Sequence, residues 1–241
     1  MMDKYFDDGH TRAKALKNRG PIRFERDGTL SRDISDAYSE YGFYIFESVL
    51  ASDELADIKA DVEHILNRAP VQKNAESDLS GNTPLGFGCE APTFFWAPPL
   101  SDPFGATDAA GGRHPVKMPE PKAEKGVTDE AIFLILGSLQ FSNACLRTYG
   151  HPELLRVAEA INGSDFTPFN EALFIKKPGI GASVAWHQDG LTHWDSEDFD
   201  EGTHGFNFMA QLYGSTARNG VWVVPGTHRL GKLDIKEMVN L

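Results

Sequence analysis

Three places in the chain set a histidine two residues before an acid: His151/Glu153, His187/Asp189 and His193/Asp195. Imidazole and carboxylate together suit a divalent metal, and two histidines with one carboxylate form the facial triad of non-haem iron oxygenases. On a strand, residues i and i+2 point to the same side. His-x-Asp on a strand would therefore bring two ligands to one ion, a neighbouring strand would add the third, and the opposite face would stay open for a chelating co-substrate and oxygen. The spacing alone is unselective: eight histidines and 35 acids give about one such pair by chance. Context sorts the three. His151/Glu153 straddles Pro152 at a helix start, where an acid favours the helix dipole. His193/Asp195 opens the acidic stretch Asp195-Ser196-Glu197-Asp198, which reads as a solvated loop. His187/Asp189 ends a strand-like run and is followed by Gly190, as a site at the mouth of a sheet would be.

The elements that would position this pair change character along the chain. Residues 1–30 are polar and read as an arm. Ile34, Ala37, Tyr38 and Tyr41 repeat at one face of a helix over Arg32 to Tyr41, with Gly42 where a left-handed C-cap is wanted. Phe43 to Phe46 reads as a short aromatic strand. A second helix starts at Ser52, an N-cap residue type, with Asp53 and Glu54 in its first turn and an apolar stripe from Leu55 to Leu66. Residues 70–127 hold nine of the 14 prolines and seven of the 23 glycines, interrupted by Phe94-Phe95-Trp96. Such a stretch suits a lid, a substrate wall or a linker better than long elements. Thr128-Asp129-Glu130 predicts the capped first turn of a helix running into the apolar residues that follow and on to Arg147, and Pro152 opens another that stops at Gly163. From Phe166 the period is that of strands: Ala172–Ile175, Ser183–Asp189, Phe206–Tyr213 and Val221–Val224, the last after an Asn219-Gly220 turn. Helices first and short antiparallel strands later predict an α+β protein built on a jelly roll, with the N-terminal helices packed on it.

Bulk composition narrows the partners. At 41% hydrophobic residues the chain can bury a core. Its formal net charge of -12 opposes nucleic acid and anionic membrane surfaces. The longest apolar run, Ala131 to Leu136, is far short of the ~20 residues of a membrane span. Cys89 and Cys145 form no CxxC pair and read as reduced thiols, and the N-terminus is too polar for a signal peptide, so a soluble cytoplasmic protein is expected.

Several segments together resemble the phytanoyl-CoA dioxygenase family. Ser39 to Leu50 (SEYGFYIFESVL) resembles its N-terminal helix, strand and second helix. Phe174 to Gly190 (FIKKPGIGASVAWHQDG) is similar to its strand, Lys/Pro turn and iron-binding His-x-Asp segment. Asn219 to Arg229 (NGVWVVPGTHR) resembles its hairpin and Pro-Gly-Ser/Thr-His segment. The resemblance implies one oxygenase domain over 1–241: the arm 1–30, a helical part 31–165 with the loop 70–127, and an incomplete double-stranded β-helix core over 166–241. It implies Fe(II) held by His187 and Asp189, with 2-oxoglutarate and O2 as co-substrates and hydroxylation of a small organic metabolite. The family's third ligand is a histidine well downstream of the Pro-Gly-Ser/Thr-His segment, followed by an arginine for the far carboxylate of 2-oxoglutarate. Both are expected beyond Leu241, so the last strands are expected to be missing from this chain. His228 matches the hairpin histidine, which the family does not use for iron. Met209 aligns where the family often has tryptophan beside 2-oxoglutarate, and Gln211 shares its face; both are candidate co-substrate contacts or core packing. Lys176, Lys177, Arg147 and Arg229 are further cations that an anion could meet.

Two other readings stay open at this point. One is a non-catalytic jelly-roll binding protein, or a fragment without a complete metal site. The other is a metal hydrolase in which His187, Asp189 and His193 hold zinc and a bound water.

Overall fold

Strand Ala131–Leu136 is where the apolar sequence has its largest structural effect. It is the central strand of a three-stranded sheet in the computed structural model, which describes residues 2–189 and 205–239. The chain divides into two units: residues 1–55, 151–166 and 206–231 in the first, and 56–150, 167–205 and 232–241 in the second. Both helix and sheet are present, so the protein is α+β.

In the first unit, the polar N-terminal arm contains a helix, α1 (Met2–Ala15), with Asp3 in its first turn and Arg12 and Lys14 in its last, each favourable to the helix dipole. Two hydrophobic side chains of α1 were invisible to a reading of composition: Tyr5 stacks on Trp222 (centroids 5.1 Å apart, 13° between planes), and Phe6 lies under the guanidinium of Arg218. Strand β1 (Arg19–Gly20) pairs in parallel with β2 (Ile45–Phe46), the aromatic strand foreseen in the sequence. Helix α2 (Arg32–Tyr41) occupies the residues its apolar period marks, and Gly42 closes it at φ 82°, its N–H donating to the Tyr38 carbonyl. A β-carbon at Gly42 would run into the ring of His228, whose Nε2 lies 3.0 Å from the Ser39 carbonyl. His228 therefore locks the end of α2. Helix α5 (Pro152–Asn162; α4 follows below) brings Val157 against Leu30 and Ile34, and around these pack Ile22, Phe24, Tyr44, Phe46 and Ile161. His151 is the residue before this helix and Glu153 sits in its first turn, so this His-x-acid pair serves a helix start.

The second unit holds most of α3 (Ser52–Asn67). The Leu55 N–H donates to the Ala51 carbonyl, and the Ala51 N–H donates to the Glu54 carboxylate at 2.7 Å. The capping interaction is thus half of a capping box around Ala51, one residue before the expected Ser52. Ile58, Val62 and Ile65 are its buried face. Strands β3 (Phe94–Ala97), β4 (Ala131–Leu136) and β5 (Ala172–Phe174) form an antiparallel sheet with β4 in the centre. Phe94 pairs with Ile135 and Leu173 with Ile135, and the register slips between Phe95 and Trp96.

This corrects the expected helix after Thr128. The acidic turn precedes a strand because consecutive Phe133, Leu134 and Ile135 are all buried, which a strand covered on both faces requires and an amphipathic helix does not. The helix that does follow, α4 (Asn143–Tyr149), is separate: Ser142 caps it by accepting from the Cys145 N–H, and Gly150 ends it. Asp61 of α3 ties into this cap, accepting from the Ser142 hydroxyl (2.7 Å) and the Ala144 N–H (3.1 Å).

The strands expected at Ser183–Asp189, Phe206–Tyr213 and Val221–Val224 are not formed; these residues run as turns and irregular chain. Strand-like composition needs a hydrogen-bonding neighbour on which to pair, and among the described residues these segments have none. Their large apolar side chains, among them Phe208, Met209, Tyr213 and Val221, are exposed. The sheet beside β4 is therefore the sheet of this unit, and no closed jelly roll is present among the described residues. No helix among them is long and apolar enough to cross a membrane.

Two measurements check this packing. Ile135→Ala, at a fully buried position of the central strand, is expected to lower the unfolding free energy by about 2–5 kcal/mol in denaturant titration. Asp61→Ala should cost about 1 kcal/mol, the usual value of a helix cap. The Ser142 and Ala144 hydrogen bonds hold the Asp61 carboxyl below its ordinary value of 3.8. Its contribution is therefore complete above that pH and lost as pH falls through the lower folded value. The stability gap between wild type and Asp61→Ala should narrow below about pH 4.

Candidate functional site

The segment that carries His187 leaves β5 through the Lys176-Lys177-Pro178-Gly179 turn. It is held without strand pairing. The Leu100 N–H donates to the Ile180 carbonyl (2.9 Å), the Ser183 N–H to the Ser101 carbonyl (2.8 Å), and Lys176 Nζ to the Ala182 carbonyl (3.0 Å). Ala182 and Ala185 are buried, Ala182 within the cluster that includes Ala97, Phe133 and Leu134. Small residues at these two positions let the backbone sit close on the sheet.

Beyond this anchor, His187 and Asp189 come together. His187 Nε2 lies 3.4 Å from Asp189 Oδ1. Its Nδ1 is 2.8 Å from the Ala185 carbonyl, which can only accept. Nδ1 therefore carries the proton when the ring is neutral, and Nε2 presents its lone pair on the side of the carboxylate. Two donors bound to one first-row metal at right angles are separated by about 3 Å, so this pair has the separation a shared ion needs. A carbonyl on the second nitrogen is also the usual means of orienting a ligating imidazole. Without an ion, the Asp189 carboxylate raises the His187 pKa, the Ala185 carbonyl adds to this and burial opposes it.

The convergence was expected from a strand, on which side chains at i and i+2 share a face. It is reached instead by a bend over residues 186–189. Spacing at two residues brought the pair together by a different backbone path.

Two neighbours went unrecognised in the sequence. Arg113 Nη1 is 3.9 Å from Asp189 Oδ1, and the same guanidinium donates from Nε to the Ala110 carbonyl. His114 is 4% exposed and its ring stacks on that of His187, with centroids 4.1 Å apart and planes 20° from parallel. Burial, with the positive neighbours His187 and Arg113, pushes its pKa down to about 4, so His114 is neutral at physiological pH. Its buried Nδ1 has no hydrogen-bond partner. Both residues follow Gly111-Gly112 in the Pro/Gly-rich stretch. The only sequence signal was an Arg-His dipeptide after two flexible residues, which carries no spacing to match.

That stretch is itself ordered around a buried acid. Asp102, 2% exposed, accepts from the Gly105 N–H (3.0 Å) and the Met118 N–H (2.8 Å), while its own N–H donates to Glu120 (2.9 Å). Gly105 packs so tightly on this carboxylate that a β-carbon there would overlap it. Phe94-Phe95-Trp96, which interrupts that stretch, forms β3 and packs in the sheet.

The remaining candidates fall elsewhere. Met209 is 58% exposed and Gln211 is exposed, both on irregular chain of the first unit, so the strand face they were expected to share does not form. His193 and Asp195 lie outside the described residues. Arg147 pairs with Asp57 at 2.7 Å. Among the described residues no set of three His, Cys, Asp or Glu side chains converges as a metal site. By their chemistry alone, the imidazole of His187 and the carboxylate of Asp189 would suit two ligands of an iron ion.

Comparison with known proteins points the same way as these two donors. The family profile described as phytanoyl-CoA dioxygenase (PhyH) matches residues 38–240, a span that includes the last turn of α2, the sheet around β4 and the His187/Asp189 pair. No curated protein and no solved structure gives a significant match. The extent of the family match, over most of the chain, makes this protein a member of the phytanoyl-CoA dioxygenase family.

Proposed function

We propose that the protein is an Fe(II)- and 2-oxoglutarate-dependent dioxygenase that hydroxylates a small organic metabolite. The observation that carries this reading is the His187 Nε2 to Asp189 Oδ1 approach at 3.4 Å, with Nδ1 committed to the Ala185 carbonyl, in a member of a family that typically uses iron and 2-oxoglutarate. His187 and Asp189 would hold the metal through these two atoms. When bound, iron and 2-oxoglutarate would let O2 act as the oxidant, one oxygen atom entering succinate as 2-oxoglutarate loses CO2 and the other turning a substrate C–H bond into C–OH.

The protein's own part is positional. The Ala185 carbonyl keeps the proton on Nδ1 of His187, leaving Nε2 to coordinate. Arg113 sets a positive charge beside Asp189. The buried ring of His114 covers one face of His187 and keeps water from it. The family's double-stranded β-helix belongs to the same reading, and the antiparallel sheet around β4 supports it.

The test is an anaerobic titration with Fe(II) and 2-oxoglutarate, following the visible charge-transfer band of the chelate. The wild-type chain is expected to develop the band, and His187→Ala and Asp189→Ala to lose it. Turnover of a metal-loaded protein in the absence of both oxygen and 2-oxoglutarate would instead establish hydrolysis. No band in the wild type, with folding intact, would count for a binding protein without oxygenase chemistry.

A further inference from the structure

The long Pro/Gly-rich stretch does more than border the site. Phe133 of β4 is 6% exposed and belongs to the core cluster of the second unit. Phe104 meets it edge-on (5.4 Å, 69°). His114 lies against Phe104 (5.3 Å, 41°), and His187 stacks on His114 (4.1 Å, 20°). Four rings thus form a continuous ladder from the central strand to the His187 imidazole.

The ladder is fixed at each rung by backbone. The Ala106 N–H donates to the His114 carbonyl at 2.8 Å, tying the two ends of the 106–114 loop. Asp102 gathers Gly105 and Met118 from either side of it. Ala110, Gly111 and Gly112 all have positive φ (52°, 67° and 70°), which turns the chain sharply before Arg113 and His114. A non-glycine residue in that region is costly and persists only where its surroundings enforce it.

The Nδ1 contact to the Ala185 carbonyl and the Nε2 contact to Asp189 both lie at the edge of the His187 ring and hold its tilt only loosely. A flat neighbour stacked on its face removes this freedom. We propose that His114 is a positioning residue for the candidate metal centre: tilted against Phe104 and stacked on His187, it sets the plane of the His187 ring so that Nε2 faces Asp189. The inference rests on the reading of His187 and Asp189 as metal ligands, and the flat face of His114, rather than its nitrogen atoms, is what acts.

Two substitutions separate flatness from bulk. His114→Phe keeps a flat ring in the pocket. His114→Leu fills comparable space without one. The first readout needs no metal: side-chain 15N and 13C NMR of His187 in the metal-free full chain, assigned by its loss in His187→Gln. At a pH high enough for the His187 ring to be neutral, wild type and His114→Phe are expected to show the single Nδ1–H tautomer, and His114→Leu a mixture. The second readout is Co(II) affinity from its visible d–d absorption. His114→Leu should weaken binding about tenfold, the lower end for loss of a group that orients a ligand, and His114→Phe should restore it.

A wild-type tautomer signature in His114→Leu overturns the proposal. So does a His114→Phe variant as impaired as His114→Leu, since the ring's flatness would then be irrelevant. If no form binds Co(II) but the tautomer responds as expected, the metal reading fails and the positioning role of His114 stands.

Discussion

Strand β4 carries Phe133, Leu134 and Ile135 in consecutive positions, all of them buried. A strand whose successive side chains point to opposite faces can bury three in a row only if both faces are covered. That requirement organises the second unit. On its edges β4 recruits β3 and β5. Ala97, Ala182, Phe95 and Phe104 pack around Phe133 and Leu134. Because Phe104 and Ala182 come from the two segments that carry His114 and His187, covering the strand also brings those segments together.

Local chemistry then refines what burial makes possible. Asp102 uses both carboxylate oxygens to hold the chain on each side of the 106–114 loop. Backbone hydrogen bonds from Leu100 and Ser183 fasten residues 180–183 to Leu100 and Ser101, just before Asp102. The Ala185 carbonyl selects the tautomer of His187. Buried polar groups are costly unless paired, so each of these bonds also restricts the arrangements the loop can adopt. The candidate metal pair at the end of this chain of contacts is partly exposed, as an ion and an exchanging co-substrate need.

The sequence made parts of this legible for identifiable reasons. Helix α2 was readable because its apolar period and its glycine stop coincide, and β2 because four aromatic or β-branched residues cluster there. β4 was misread because a continuous apolar run has no period to distinguish helix from strand, and the acidic residues before it imitate a helix start. Helix α1 was hidden since its partner, Trp222, is more than two hundred residues away. The expected strands at 183–189, 206–213 and 221–224 had the right composition, but composition cannot supply the neighbour that a strand must pair with.

For the candidate site, the sequence by itself marked the candidate donors and the family. A histidine and an aspartate two residues apart remain close whether the backbone is extended or bent, and the motifs around them are local strings. Only the tertiary structure decided the surroundings: the stack of His114 on His187, the guanidinium of Arg113 beside Asp189, and the line of rings back to Phe133. Those contacts join residues 73 or more positions apart in some cases, through a loop whose prolines and glycines give no period to read. They exist because the same apolar strand must be covered from both sides, and a requirement of that kind is met in three dimensions rather than along the chain.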